Sequence, residues 1–287
     1  MKVLIIGSTG QLAHDLLNVF GPDAIGLSHQ ELDVTDGVGL AIAVKERRPN
    51  WVINTAAFHR VDDCEINPRL AFDVNALGAQ NVARAAAAVD AGVVFFSTDY
   101  VFSGRDRPLL QPYDENDPPE PLSVYGVSKW SGEQLVRQGN RRHLVVRTAG
   151  LYGTTTSRKG WTFPELILEK GRSDGQVHVV TDQVLSPTFT LDLAIKVKEL
   201  MDREANGLFH LTNSGECSWF EFAREVFELA RAPVKMEPIN TAQSQRRALR
   251  PAYSALRSIR LEELGIAPLR PWQEALKDYL QKKGSVS

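Results

Sequence analysis

Tyr125 and Lys129 stand four residues apart in PLSVYGVSKWSGEQLV, residues 121–136. The amphipathic pattern behind the proline predicts a helix, and a spacing of four puts both side chains on one helical face. Together they could reduce a ketone. That reaction needs a proton at the carbonyl oxygen as hydride reaches the carbon. A phenol can supply it, although its unperturbed pKa is about 10, and a nearby ammonium favours the phenolate and lowers that value. The lysine could also hold a nicotinamide ribose. A third group must fix the substrate carbonyl, and Thr98, just past the apolar run VVFFS (93–97), is the candidate. It falls at the C-terminal end of a predicted strand, where open α/β sheets bind ligands. Spacing alone is a weak signal, because Tyr279 and Lys283 repeat it in the last predicted helix. That second pair has no strand and glycine loop arranged ahead of it, and it is expected on a solvated helix face.

Hydride chemistry of this kind needs a dinucleotide site. The first apolar run, KVLII (2–6), leads into Gly7-Ser8-Thr9-Gly10-Gln11-Leu12-Ala13 and then into QLAHDLLNVF (11–20), which has a helical period. A strand, a glycine turn and a helix start offer bare N–H groups and a positive dipole end to a pyrophosphate. Gly7 permits the tight turn and Gly10 lets phosphates approach, while Ala13 takes the third position, where glycine is usual. The acidic residue expected about 20 positions on is Asp33, in HQELDVTD. The second strand, AIGL (24–27), is followed by Ser28 and His29, so no carboxylate stands there to repel a 2′-phosphate and no arginine to grip it. NADP and NAD both stay open, with NADPH slightly preferred.

These groups need a scaffold, and 287 residues suit one large domain with a subsidiary lobe. Strands and helices alternate through the first half: KVLII, QLAHDLLNVF, AIGL, a helix over 36–48, WVINTAA (51–57), a helix over 68–91, VVFFS, the helix of 121–136, and HLVVRT (143–148). Apolar strands joined by helices predict an α/β fold, a doubly wound, Rossmann-type parallel sheet. The expected boundaries are a NAD(P)-binding domain over 1–150 and a smaller mixed substrate lobe over 151–287, with the chain returning to the first domain around 188–213. In that lobe VHVV (177–180) and GLFHLT (207–212) read as strands, and 218–230 and 271–280 as helices. Trp219, Phe220, Phe222 and Phe227 are expected in its core. The proline-rich stretch 103–121 reads as a long loop of the kind that often carries function. The cleft between the lobes is the default ligand site.

Composition narrows the partners. A net charge of −2 gives no reason to expect nucleic acid or a membrane surface. No run reaches the roughly 18 apolar residues of a membrane span, and the N-terminus lacks the pattern of a signal peptide. Cys64 and Cys217 form no paired motif, so both are expected as small buried residues in a reducing cytoplasm. The six histidines form no ligand pair, and no metal site is expected.

GSTGQLA (7–13), ELDVTD (31–36), VINTAAFHRVDDCE (52–65), AFDVNALGAQNVA (71–83), STDYVFSG (97–104), PLSVYGVSKWSGE (121–133), DQVLSPT (182–188) and RPAYSAL (250–256) together resemble an extended short-chain dehydrogenase/reductase. More narrowly, they resemble the dTDP-4-dehydrorhamnose reductase family over almost the whole chain. The resemblance implies that Gly7, Gly10, Gln11 and Leu12 hold the cofactor pyrophosphate. Asp33 and Val34 would sit by the adenine, which competes with the ribose role for Asp33. Ala56 and Ala57 would line the adenosine side, with Asn75 near the site. Thr98, Tyr125 and Lys129 would be the catalytic trio, Tyr125 and Lys129 also touching cofactor. Asp99 and Tyr100 would touch the sugar and Arg250 would approach the nucleotide-sugar lobe. Reduction of the 4-keto group of a dTDP-linked 6-deoxysugar by NADPH or NADH follows, giving dTDP-L-rhamnose, and a homodimer is compatible with it.

Three departures fall where substrate is read. Gly150 stands where the family has a tryptophan bordering the sugar. Gly160-Trp161-Thr162-Phe163 replaces a G-x-N-F pattern, which makes Trp161 a further substrate candidate. Phe58-His59-Arg60 replaces Tyr-Thr-Ala. Arg246, Arg247 and Arg250 form a basic cluster that reads first as a solvated face and second as a diphosphate grip. Two other readings stay open: a nucleotide-sugar epimerase or dehydratase, which would keep its cofactor, and a regulatory subunit that binds nucleotide without turnover.

Overall fold

The computed structural model describes residues 1–105, 111–155, 160 and 162–284. Six short strands carry the fold: β1 (Val3–Ile6), β2 (Ala24–Leu27), β3 (Trp51–Asn54), β4 (Gly92–Thr98), β5 (His143–Thr148) and β6 (Gly207–His210). They form one parallel sheet in the order β2-β1-β3-β4-β5-β6. Alternate side chains feed two separate cores. Val3, Ile5, Ile53, Val94, Leu144 and Val146 pack under helices α1 (Gln11–Phe20) and, from later in the chain, α6 (Thr190–Asp202). Leu4, Val52, Val93, Phe95 and Val145 face α2 (Gly37–Arg47), α3 (Ala79–Ala87) and α4 (Val124–Gly139). Both faces are covered, which explains why the strands are apolar runs rather than alternating ones. The chain steps from β1 out to β2 and then to β3 on the other side of β1. That reversal opens a crevice at the C-terminal ends of β1 and β3.

Several expected elements take a different form. The predicted strand WVINTAA stops at Asn54, because Thr55 Oγ1 turns back onto the carbonyls of Ile6 (2.8 Å) and Gly7 (3.1 Å). The long helix over 68–91 is Pro68–Phe72, a π-helical stretch over Asp73–Gly78, and α3. Helices α5 (Phe163–Asp174) and α6 were not among the expected elements. Both carry readable signals. Thr162 and Glu165 form a capping box, and Leu193, Ala194, Val197, Leu200 and Met201 make a buried helical stripe. After β5 the chain leaves the sheet, returns through α6 and β6, and leaves again.

A third core holds the smaller lobe together. It joins α5, α7 (Trp219–Leu229), α8 (Trp272–Lys282) and a parallel strand pair, Gln176–Val180 with Lys235–Ile239. Phe222 and Phe227 are in that core, while Trp219 and Phe220 are only partly buried. Tyr279 overturns the expectation of a solvated pair. It is 1% exposed, inside this core, and its hydroxyl is 3.0 Å from Thr162 Oγ1. Lys283 caps α8, pairs with Glu165 at 2.7 Å and donates to the Thr154 carbonyl. The second Tyr-x-x-x-Lys is therefore a clamp on the lobe. In the 103–121 loop, Tyr113 stacks on Phe102 at 4.0 Å and bridges to Leu256. The described part of that loop pins the chain near residue 256 and does not reach the cavity wall described below.

Candidate functional site

One cavity of about 650 Å³ runs from the β1–α1 turn, past the ends of β3, β4 and β5, to the smaller lobe. At one end the turn is built by Gly7, whose φ is +85° and whose Cβ would lie 2.9 Å from Ala56 N and Thr55 Oγ1. Only glycine fits there. The Gly7 and Ser8 amides both donate to the Leu27 carbonyl, which fastens the turn to β2. Helix α1 starts without any side-chain cap, so its first-turn N–H groups face the cavity end unspent by a side chain. Gly7, Gly10, Gln11, Leu12, Asp33, Val34, Ala56 and Ala57 all line the wall here.

Asp33 is fixed by Thr35, whose N and Oγ1 each donate to Oδ1 at 2.9 Å, and these bonds hold its pKa below the usual carboxylate value. The exit of β2 differs from expectation. Glu31 folds back so that Oε2 accepts from Ser28 N (2.8 Å) and Ser28 Oγ (2.7 Å). A carboxylate therefore does stand where none was expected, because a three-residue turn brings it there.

The middle of the cavity holds the candidate catalytic groups. Thr98, the last residue of β4, is 6% exposed, and Lys129 is 2% exposed. Two glycines of α4 bring the helix in: a Cβ on Gly126 would run into the Tyr100 carbonyl, and one on Gly132 into the Asn75 carbonyl and the Phe95 ring. This close approach sets Tyr125 beside Thr98 and packs it edge-on to Tyr100, ring centroids 5.8 Å apart. Burial pushes the Tyr125 phenol well above its ordinary value, with the Thr98 hydrogen bond opposing and Asp99 adding to the rise. Lys129 is not among the groups acting on it, so the expected lowering by the ammonium is absent. Burial instead lowers Lys129 itself to about 7, against a raising influence from Glu133. Its Nζ sits 4.1 Å from the centre of the Phe95 ring. Behind it, Glu133 is engaged by Arg147 at 2.8 and 2.9 Å and by Ser97 Oγ at 2.5 Å, a paired charge at the sheet face.

Asp99 lies buried next to Thr98. Oδ1 accepts from Thr98 Oγ1 (3.0 Å) and Oδ2 from Ser254 Oγ (2.6 Å), and burial raises its pKa to about 6 despite those bonds. Burial, with Asp99 adding to the rise, lifts Tyr100 to about 12. At the lobe end, Gly150 (φ +52°) lines the wall; a Cβ there would lie 2.7 Å from Leu185 Cδ1 and 3.7 Å from Trp219 Cη2. Trp219 packs on Phe163 at 4.5 Å, and both line the cavity.

Two site residues expected from the sequence stand elsewhere. Asn75 does not line the cavity. Its amide brackets the Phe58 backbone, accepting from N and donating to O at 2.9 Å each, and donates to Ser128 Oγ at 3.0 Å. Arg250 is off the wall as well; its guanidinium grips Asp62 at 2.9 and 3.3 Å. The neighbouring Arg246 approaches the same carboxylate at 3.8 Å. Trp161 lies outside the described residues. Conversely, Asn54, Thr148, Gln183 and Ser254 line the cavity without having been singled out, and Trp219 lines it although it was expected only in the core. Among the described residues no His, Cys, Asp and Glu cluster could hold a metal, and both cysteines are buried. No helix is long and apolar enough to cross a membrane among the described residues.

A glycine turn without a side-chain cap, a half-buried tyrosine and a buried lysine on one helix face, and a threonine at a strand end give this cavity the parts of a dinucleotide oxidoreductase. Residues 1–284 match the family model described as the RmlD substrate binding domain. The chain belongs to the RmlD family. Within it, the chain is 37% identical over 288 residues to the spore coat polysaccharide biosynthesis protein SpsK of Bacillus subtilis, covering 99% of each. It is 38% identical to a dTDP-4-dehydrorhamnose reductase of Mycolicibacterium smegmatis, over 95% of this chain and 82% of that one. The crystal structure of the Bacillus anthracis dTDP-4-dehydrorhamnose reductase in complex with NADP superposes with a TM-score of 0.93. That pair is 36% identical, covering 98% of this chain and 100% of the other.

The wall fits such a cofactor on its own evidence. Gln11 Oε1, Asn54 Nδ2 and Thr148 Oγ1 are buried polar atoms with no partner among the described residues, and all three residues line this cavity. Buried polar groups are normally paired, so the three together mark a polar ligand.

Proposed function

We propose that this protein is an NAD(P)H-dependent oxidoreductase that reduces the 4-keto group of a dTDP-linked 6-deoxysugar, by family default dTDP-4-dehydrorhamnose. The observation that carries the reading is the meeting of Thr98, Tyr125 and Lys129 on one wall that begins at the glycine turn. NADP or NAD would lie along Gly7, Gly10, Gln11, Leu12, Asp33, Val34, Ala56 and Ala57. Asp99, Tyr100 and Gly150 would face the sugar.

When bound, the reduced nicotinamide supplies hydride to the keto carbon. Tyr125 gives its proton to the keto oxygen and regains one from solvent, so the carbonyl gains two electrons and two hydrogens in all. The raised phenol pKa suits that role, because the group holds its proton throughout the neutral range. Lys129 holds the ribose. Thr98 must orient the carbonyl, yet its hydroxyl is committed to Asp99. Protonation of Asp99 lets that carboxyl donate to Thr98 Oγ1, and the threonine proton then turns to the substrate.

The test is NADPH and NADH oxidation against a panel of nucleotide-linked 4-keto-6-deoxysugars, with product analysis. Stoichiometric oxidation with a dTDP-linked member is the expected result. No oxidation with any member overturns the reductase reading, and conversion without net oxidation points to an epimerase or dehydratase.

A further inference from the structure

Two of the orphaned atoms bear on the β5 side of the cavity: Thr148 is the last residue of β5, and Gln11 reaches from the glycine turn to Leu151 just beyond it. Thr148 closes β5 in register with Thr98, and neighbouring strands lie about 4.8 Å apart. It is 4% exposed, and its hydroxyl has no partner among the described residues. Gln11 reaches the same side from the first turn of α1. Its Nε2 donates to the Leu151 carbonyl at 3.3 Å, three residues beyond Thr148, which leaves Oε1 as the unpaired atom.

The chemistry of the pair is selective. Gln11 Oε1 can only accept, so an ionised phosphate cannot satisfy it. The Thr148 hydroxyl can donate. A primary carboxamide offers the complement of both, a carbonyl oxygen and an N–H.

We propose that Thr148 and Gln11 read the nicotinamide carboxamide. The hydroxyl donates to its oxygen and Oε1 accepts from its nitrogen, which fixes the rotation of the ring beside Tyr125. Thr148 and Gln11 are positioning residues in this account. The inference rests on a nicotinamide cofactor and not on the sugar, so it stands or falls separately from the substrate reading.

Thr148→Ala and Thr148→Ser test it together. Both lose the methyl group, and only the serine keeps the hydroxyl. Dissociation constants are measured for NADPH and for 2′-phospho-ADP-ribose, which lacks the nicotinamide, with the thermal midpoint of each ligand-free variant. The expected result is NADPH binding about tenfold weaker in the alanine variant than in the serine variant. The two should bind 2′-phospho-ADP-ribose equally, and the ligand-free alanine variant should melt no lower than the serine variant. Equal NADPH binding overturns the proposal, as does equal weakening of both ligands. An alanine variant that melts well below the serine variant, or alone fails to fold, also overturns it, because the hydroxyl would then serve the protein. Gln11→Leu provides a second arm and should lose NADPH affinity selectively. Loss of affinity for both ligands, or for neither, contradicts the role of Oε1.

Discussion

Asp99 ties the chemistry of Thr98 to pH. With its pKa near 6, the carboxyl is protonated below that value and can donate to Thr98, freeing the threonine proton for the substrate. Above it the carboxylate claims that proton. For reduction, kcat/KM should therefore fall as pH rises through about 6, since this ratio reports the free enzyme. Asp99→Asn should remove that step and leave a second one near 7 that belongs to Lys129; a profile unchanged by the substitution contradicts the coupling. Lys129 carries a stability signature too. Its pKa is about 7 in the fold against 10.5 in the unfolded chain, so the unfolded state binds more protons between those values. Its contribution to stability therefore rises with pH across that window. Lys129→Met should stabilise the ligand-free protein, fully below pH 7 and by a shrinking amount toward pH 10.5, in urea melts at pH 6 and 9.5. At this scale the meeting of Thr98, Tyr125 and Lys129 on one cavity wall was legible, because residue type, spacing and a strand end place them together. Asn75 and Arg250 were not, because what they do depends on partners far along the chain: Phe58 and Ser128 for one, Asp62 for the other. The same separation hid Trp219 and Ser254, which reach the cavity only once the lobes close.

The sheet and the first helices, but not α6, followed from period and composition. VLII, AIGL and HLVVRT are strands within a residue of their apolar limits, and QLAHDLLNVF is α1 throughout. What escaped was geometry set by side chains acting on the backbone. Thr55 ends β3 early by bonding backwards, and the segment after β2 curls so that Glu31 meets Ser28. That curl has a consequence for the cofactor. A carboxylate at the exit of β2 opposes a 2′-phosphate, so Glu31→Gln should raise the preference for NADPH over NADH by about a few-fold, because solvent screens so exposed a charge. The ratio of the two kcat/KM values checks this, and an unchanged ratio would place Glu31 outside the choice. The Tyr279 helix teaches the same lesson in reverse. Its spacing matches that of α4, but its neighbours are Thr162 and an aromatic core, so the same two residue types serve stability.

At the scale of the molecule, the chain leaves the sheet and returns to it, and the cavity lies along the line where the two parts meet. Its wall mixes the glycine turn of the first core with Phe163 and Trp219 of the third. A ligand spanning it should stabilise both parts at once. Saturation with NADPH at about 100 times its dissociation constant adds about 2.7 kcal/mol, and thermal melts should show one cooperative transition moving up. A midpoint that stays in place would mean that the cofactor does not bind the folded chain. The reaction turns on one group, the half-buried Tyr125 phenol. The most direct measurement is the rate of NADPH consumption with a saturating dTDP-linked 4-keto-6-deoxysugar, for the wild type and for Tyr125→Phe. The expected result is turnover by the wild type and a loss of at least about 100-fold in kcat for the variant, with its NADPH affinity retained. A variant that keeps full activity would contradict the assignment of the proton to Tyr125.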